Sequence, residues 1–127
     1  MVLLDEMVEW EPGRAVCTMT LRPDAPFVEG AGADALATIE YMAQAVAACL
    51  GYEAYRGGAG VRVGMIIASK RFTLHRDIVP VDAHVVVSVR RVRGNELLSH
   101  FEGNVHADDA LIADAQLTLF HAEKPPE

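Results

Sequence analysis

The chain has 127 residues, 51% of them hydrophobic, which is room for one domain over 1–127 with a single apolar core, and its composition is too apolar for a disordered segment. Eighteen Asp+Glu against 11 Lys+Arg leave a net charge of −7, which disfavours nonspecific binding to nucleic acid, where phosphate contacts supply most of the energy. Cys17 and Cys49 stand far apart in apolar surroundings with no Cys-x-x-Cys or Cys/His spacing, so they read as small buried hydrophobes and no metal site is expected.

The opening, Val2 to Trp10, mixes apolar and acidic residues. Asp5 and Glu6 follow Met1 to Leu4 at once, which is unlike a signal peptide and makes the cytoplasm the expected location. Glu11-Pro12-Gly13 is a turn signal, and Arg14 to Leu21 alternates as a strand does. Arg22 to Gly32, with two prolines and two glycines, reads as a loop.

From Ala33 to Leu50 the chain is rich in Ala, Leu and Met, lacks proline and glycine, and stops at Gly51. These signals predict one long helix over about 33–50. Beyond Asp34 its clearly polar residues are Thr38, Glu40 and Gln44. A helix with so little charge is expected to be covered on nearly all sides. The run is short for a membrane span and has a carboxylate near its middle, which argues against one.

After Tyr55-Arg56-Gly57-Gly58-Ala59-Gly60, a connection, four strands are predicted: Val61 to Phe72, Ala83 to Val92, Glu96 to Val105 and Leu111 to His121. Val85, Val87 and Val89 share one face; so do Phe101 and Val105, and Leu111, Ala113, Ala115, Leu117 and Leu119. One apolar and one polar face is the pattern of an antiparallel sheet packed on one side. Arg93-Gly94-Asn95 and Asp108-Asp109 supply hairpin turns. The expected fold class is α+β, one antiparallel sheet wrapped around the central apolar helix. A helix resting on an open sheet, the alternative, should show more charge.

Glu40 is the residue out of place in this pattern. A carboxylate among apolar side chains costs several kcal/mol in desolvation unless paired or protonated. Gln44 lies one turn later on the same face. One reading ties Glu40 to Gln44 or to an arginine such as Arg62 or Arg71. The other makes it a general acid or base in a cleft, its pKa raised by burial.

Ile39-Glu40-Tyr41-Met42-Ala43-Gln44 resembles the helix motif of the hotdog-fold 3-hydroxyacyl-ACP dehydratases of the FabA/FabZ type. Val2-Leu3-Leu4-Asp5-Glu6-Met7-Val8 is similar to that family's opening strand. Ala68-Ser69-Lys70-Arg71-Phe72 and Ile78-Val79-Pro80-Val81-Asp82 are similar to its Lys-x-x-Arg-Phe strand and Val-x-Pro-Gly-Asp turn, and Asn104-Val105 to Leu117 to its closing hairpin. The resemblance is fullest to the ApeP-type members of aryl polyene clusters, whose helix also reads Ile-Glu-Tyr-Met-Ala-Gln. It implies a hotdog dimer with sheets joined edge to edge. It also implies an acyl thioester held in an interface tunnel and delivered on the phosphopantetheine of acyl carrier protein (ACP) or CoA, with no other cofactor. Glu40 would be the catalytic carboxylate, Gln44 its support, and the backbone amides of Gly32, Ala33, Asp34 and Ala35 the oxyanion donors at the helix start.

The sequence departs from the family at one place. The dehydratases have a histidine in a His-Phe-Pro-Gly stretch before the helix; here that region reads Asp24-Ala25-Pro26-Phe27-Val28. Losing a general base costs roughly 10²–10⁴-fold in rate. Asp24 is one candidate substitute, and His75, just before the Pro80 turn, is the one histidine expected near a tunnel mouth. His84, His100 and His106 fall on polar strand faces. Met42, Phe27 and Met65 are candidates to line a tunnel or simply to pack the core. Arg90, Arg91 and Arg93 cluster at a strand end and are the cations placed to meet a carrier-protein phosphate or acidic helix. Three functions follow: a dehydratase-like lyase of fatty-acid or polyene biosynthesis using Glu40; a thioesterase in which Glu40 activates water; or a non-catalytic acyl-binding partner of an active homologue, in a heteromer.

Overall fold

In the computed structural model, residues 3–56, 65–94 and 98–121 are described. In chain order the elements are β1 (Glu6–Glu11), β2 (Arg14–Thr20), β3 (Val28–Glu29), β4 (Gly32–Asp34), a 3₁₀ turn (Ala35–Ala37), α1 (Thr38–Arg56), β5 (Met65–Leu74), β6 (Ile78–Pro80), β7 (His84–Gly94), β8 (Leu98–Ala107) and β9 (Ala110–His121). Six strands pair antiparallel in the order β1-β2-β7-β8-β9-β5. A small second sheet runs β3-β4-β6 and leads the chain into the helix.

The period-two pattern decides which side of the large sheet is inside. Val85, Val87 and Val89 of β7, Phe101 and Val105 of β8, and Ala113, Ala115, Leu117 and Leu119 of β9 are all buried. They meet Tyr41, Met42, Ala45, Val46 and Cys49 of α1, which crosses β2, β7 and β8. At Gly103 the missing side chain makes room for the helix, since a Cβ there would lie 2.8 Å from Met42 Sδ. Asp108 and Asp109 both have positive φ, 47° and 70°, and form the two-residue turn between β8 and β9. This is the backbone a tight hairpin requires, and aspartate tolerates it.

Three expectations are corrected. The helix does not span 33–50: it begins at Thr38, because Gly32–Asp34 pair as β4 with Pro80, Val79 and Ile78. It also continues through Gly51 to Arg56. One glycine costs a helix only about 1 kcal/mol, and tertiary contacts hold the last turns. Trp10 stacks on Tyr52 with ring centroids 4.7 Å apart, and Arg56 lies 6.0 Å from the Trp10 ring. Glu53 accepts from the Gly13 N–H at 3.2 Å and pairs with Arg91 at 3.2 Å.

Nor is α1 covered on nearly all sides. The sheet buries the face holding Thr38, Tyr41, Met42, Ala45, Val46 and Cys49. On the opposite face Glu40 is exposed and Ala43, Gln44 and Ala47 are half-buried, while Leu36 in the preceding turn is 57% exposed. A single sheet can cover only one flank of a helix. Gly94, expected in a turn, still belongs to β7 opposite Ser99, and Asn95 lies outside the described residues.

Candidate functional site

The small sheet and the 3₁₀ turn set down the helix start. Asp34 caps that turn, its carboxylate accepting from the Leu36 N–H at 2.9 Å. The Thr38 hydroxyl donates to the Ala35 carbonyl at 2.6 Å. Glu40 therefore sits in the first turn of α1, where the unpaired N–H groups and their partial positive charge favour a carboxylate. Gln44 follows one turn later. Its Nε2 lies 3.5 Å from Glu40 Oε1, and its Oε1 accepts the Leu3 N–H at 2.8 Å. Gln44 thus links the amino-terminal segment to the carboxylate, a contact that local sequence could not show because it spans 41 residues.

Two features of this site differ from expectation. Glu40 is exposed, not enclosed, and no arginine pairs with it among the described residues. Arg71 sits on β5 opposite Gln116, and Arg62 is outside the described residues. Also, Gly32, Ala33 and Asp34 lie in a ladder between β3 and β6, and the Ala35 N–H donates to the Asp77 carbonyl at 2.9 Å. All four precede the first turn of α1, and the Ala35 N–H already has an acceptor.

The other candidates fall elsewhere. Asp24 is exposed in a turn where the Ala25 N–H bonds to the Arg22 carbonyl, and it makes no side-chain bond among the described residues. His75 pairs with Asp114 at 2.5 Å. Asp114 alternates with buried Ala113 and Ala115, so this pair lies on the sheet face turned away from the helix that bears Glu40. The arginine cluster is split between faces. Arg90 pairs with Glu102 at 2.9 Å on the outer face, whereas Arg91 follows Val85, Val87 and Val89 on the inner face and meets Glu53 of α1. Arg93 regains the outer face after a bulge. Phe27 is half-exposed with φ 72°, Met42 packs in the core, and the Met65 side chain is outside what is described.

One group that sequence reading passed over is the Tyr41 hydroxyl. Tyr41 is fully buried beside Glu40, and its oxygen has no hydrogen-bond partner. Such an atom costs about 1–3 kcal/mol. Burial pushes the phenol pKa up, so it stays a protonated donor. The only sequence signal was a polar tip inside an apolar run. The two cysteines are buried and free. Burial, with Glu53 adding to it, pushes the Cys49 thiol up to about 11, which leaves no reactive thiolate here. Among the described residues no group of His, Cys, Asp and Glu is arranged to hold a metal ion, and no helix is long and apolar enough to cross a membrane.

Comparison with known proteins places this arrangement. The family profile described as ApeP-like, ApeP dehydratase, matches residues 1–127. A search of curated proteins finds no match. Among solved structures, the dehydratase heterocomplex ApeI:P from Xenorhabdus doucetiae superposes with a TM-score of 0.88 at 16% identity, covering 97% of this chain and 84% of that one. The TT0310 protein from Thermus thermophilus gives 0.70 at 17% identity, covering 92% and 91%. PaaI from the E. coli phenylacetic acid degradation operon gives 0.67 at 11%, covering 92% and 78%. At these identities the likeness is one of fold, the hotdog fold of a helix against a large antiparallel sheet.

Proposed function

The chain belongs to the ApeP-like dehydratase family, and from that premise we propose that it is a dehydratase-like subunit acting on 3-hydroxyacyl thioesters carried on the phosphopantetheine of ACP or CoA. Glu40 is its acid–base carboxylate and Gln44 the group that orients it. In the elimination, the Cα–H and Cβ–O bonds of the substrate break, the Cα–Cβ double bond forms and water leaves. Glu40 handles the proton that the departing hydroxyl takes up to leave as water, and a second group takes the α-proton.

The observation that supports this reading is the uncovered face of α1. Leu36, Glu40, Ala43, Gln44 and Ala47 present one carboxylate in an otherwise uncharged strip. The strip is suited to a second hotdog subunit, whose surface would enclose Glu40 and exclude water from it. With His75 on the far side of the sheet and Asp24 unattached, the proton acceptor is best supplied by that second subunit. The Xenorhabdus doucetiae protein is a dehydratase heterocomplex, and a heteromer with a homologous dehydratase is the corresponding assembly for this chain.

The test offers the purified protein, alone and mixed with a homologous dehydratase subunit, a 3-hydroxyacyl-ACP and an acyl-CoA. Enoyl formation is followed by mass spectrometry and free thiol by colour. Enoyl product in the mixture that falls roughly 10²–10⁴-fold with Glu40→Gln is the expected result. Thiol release lost in that variant would replace the proposal with a thioesterase. Enoyl product unchanged by Glu40→Gln would leave this chain a non-catalytic partner.

A further inference from the structure

On the sheet face away from α1, four strands meet in a cleft of about 290 Å³ lined by Lys70 of β5, Arg93 of β7, His100 and Glu102 of β8, and Gln116 and Thr118 of β9. Two register irregularities frame it. β5 bulges between Ser69 and Arg71, taking Lys70 out of step with β9, and β7 bulges between Arg91 and Arg93. Bulges re-aim side chains and recur beside functional sites. The two bulged strands flank a floor of β8 and β9, so a cation stands on each side of it.

The charge here runs against the molecule. The protein is at −7, yet Arg71 and Arg90 join Lys70 and Arg93 on this face, and the carboxylate lining the cleft, Glu102, is held by Arg90 at 2.9 Å. Arg14, Arg22, Arg90 and Arg91 each meet a carboxylate, whereas Lys70 and Arg93, like Arg71 on the same face and Arg56 and Arg76 elsewhere, meet none among the described residues. Thr118 Oγ1 lies 3.2 Å from His100 Nδ1 and fixes that ring over the floor.

We infer that this cleft is a second site, on the opposite face from Glu40, for a small ligand bearing a phosphate monoester. Two uncompensated cations match a dianion better than a carboxylate. The arginine fork fits phosphate oxygens two at a time, and lysine adds a point charge. Gln116 and Thr118 supply neutral hydrogen-bonding groups below. The cleft is a concave pocket near the lower end of the size range of ligand sites, which favours a compact molecule over a flat protein surface.

The full chain, labelled with ¹⁵N, is titrated with glycerol 3-phosphate, with inorganic phosphate, and with chloride at matched ionic strength. Saturable shifts of the amides at Lys70, Arg93, His100 and Thr118 are expected with glycerol 3-phosphate at concentrations where chloride has no effect. Saturation by inorganic phosphate at equal concentration would make the free ion the ligand and overturn the monoester assignment. The doubly substituted Lys70→Gln, Arg93→Gln protein should lose at least tenfold in affinity, and Arg14→Gln should lose none. Both changes are at exposed side chains, and an unchanged amide spectrum elsewhere shows that the variants fold. Equal shifts with chloride, undiminished affinity in the double variant, or shifts given only by an acidic protein would each overturn the proposal.

Discussion

Glu40 stands at a helix start, where the positive end of the helix dipole is worth about 0.3–1 kcal/mol to a carboxylate. Its exposed position in the chain and its link to Gln44 make it a group that water reaches freely until something covers it. Its neighbour Tyr41 is the opposite case, buried with no acceptor for its hydroxyl. If that hydroxyl has no role in the fold, Tyr41→Phe should raise the unfolding free energy by on the order of 1 kcal/mol, read from the urea midpoint at unchanged m-value. A fall in stability would mean that the oxygen has a bound-water partner. Local composition could single out Glu40 as unusual. It could not say that the carboxylate is open and the phenol enclosed, because that depends on which flank of α1 the sheet covers.

At the scale of elements, the helix limits and the small sheet are the instructive departures. Ala33-Asp34-Ala35 has good helix formers on both sides of a capping residue, so a helix from Ala33 is the natural local reading. Pairing with Val79 and Ile78 of β6 overrides it. Gly32 fits this ladder closely: a Cβ there would come within 2.1 Å of the Val79 carbonyl oxygen. Gly32→Ala should therefore destabilise the protein by about 3 kcal/mol, at the upper end for overpacking, and lower the thermal midpoint accordingly. A change below about 0.5 kcal/mol would show that the β4–β6 contact is looser than described. The same substitution should disturb the Asp34 cap and with it the aim of Glu40. At the other end, the helix runs past Gly51 because Trp10, Gly13 and Arg91, from the β1–β2 hairpin and β7, hold Tyr52, Glu53 and Arg56. Those partners are about 40 residues from the helix in sequence, beyond any local window.

For the whole molecule, the large sheet separates two chemistries. Its inner face presents α1 with the Glu40 strip, and its outer face presents the Lys70–Arg93 cleft and the His75–Asp114 pair. If the strip meets a homologous dehydratase subunit, Ala47→Arg should leave the far-UV circular dichroism and thermal midpoint of the isolated chain nearly unchanged. Ala47 is only half-buried and lies on the uncovered flank. The variant should abolish the mixed species in size-exclusion chromatography with light scattering. A mixed species that forms equally well with Ala47→Arg would place the contact elsewhere.

By itself the sequence determined the strands with period-two alternation, from Arg14 of β2 to Leu119 of β9, since burying one face of a sheet demands that pattern. It also determined the presence of one largely apolar helix with Glu40 set among apolar residues, and, through Ile39 to Gln44 with the flanking segments, the family. Only the tertiary structure decided where that helix begins and ends, that Gly32 to Ala35 belong to a ladder, that His75 faces away from Glu40 and that Arg91 parts from Arg90 and Arg93. Each of these depends on a pairing partner or a bulge distant in the chain. Hydrophobic periodicity records whether a residue is buried, and says nothing of what it is buried against.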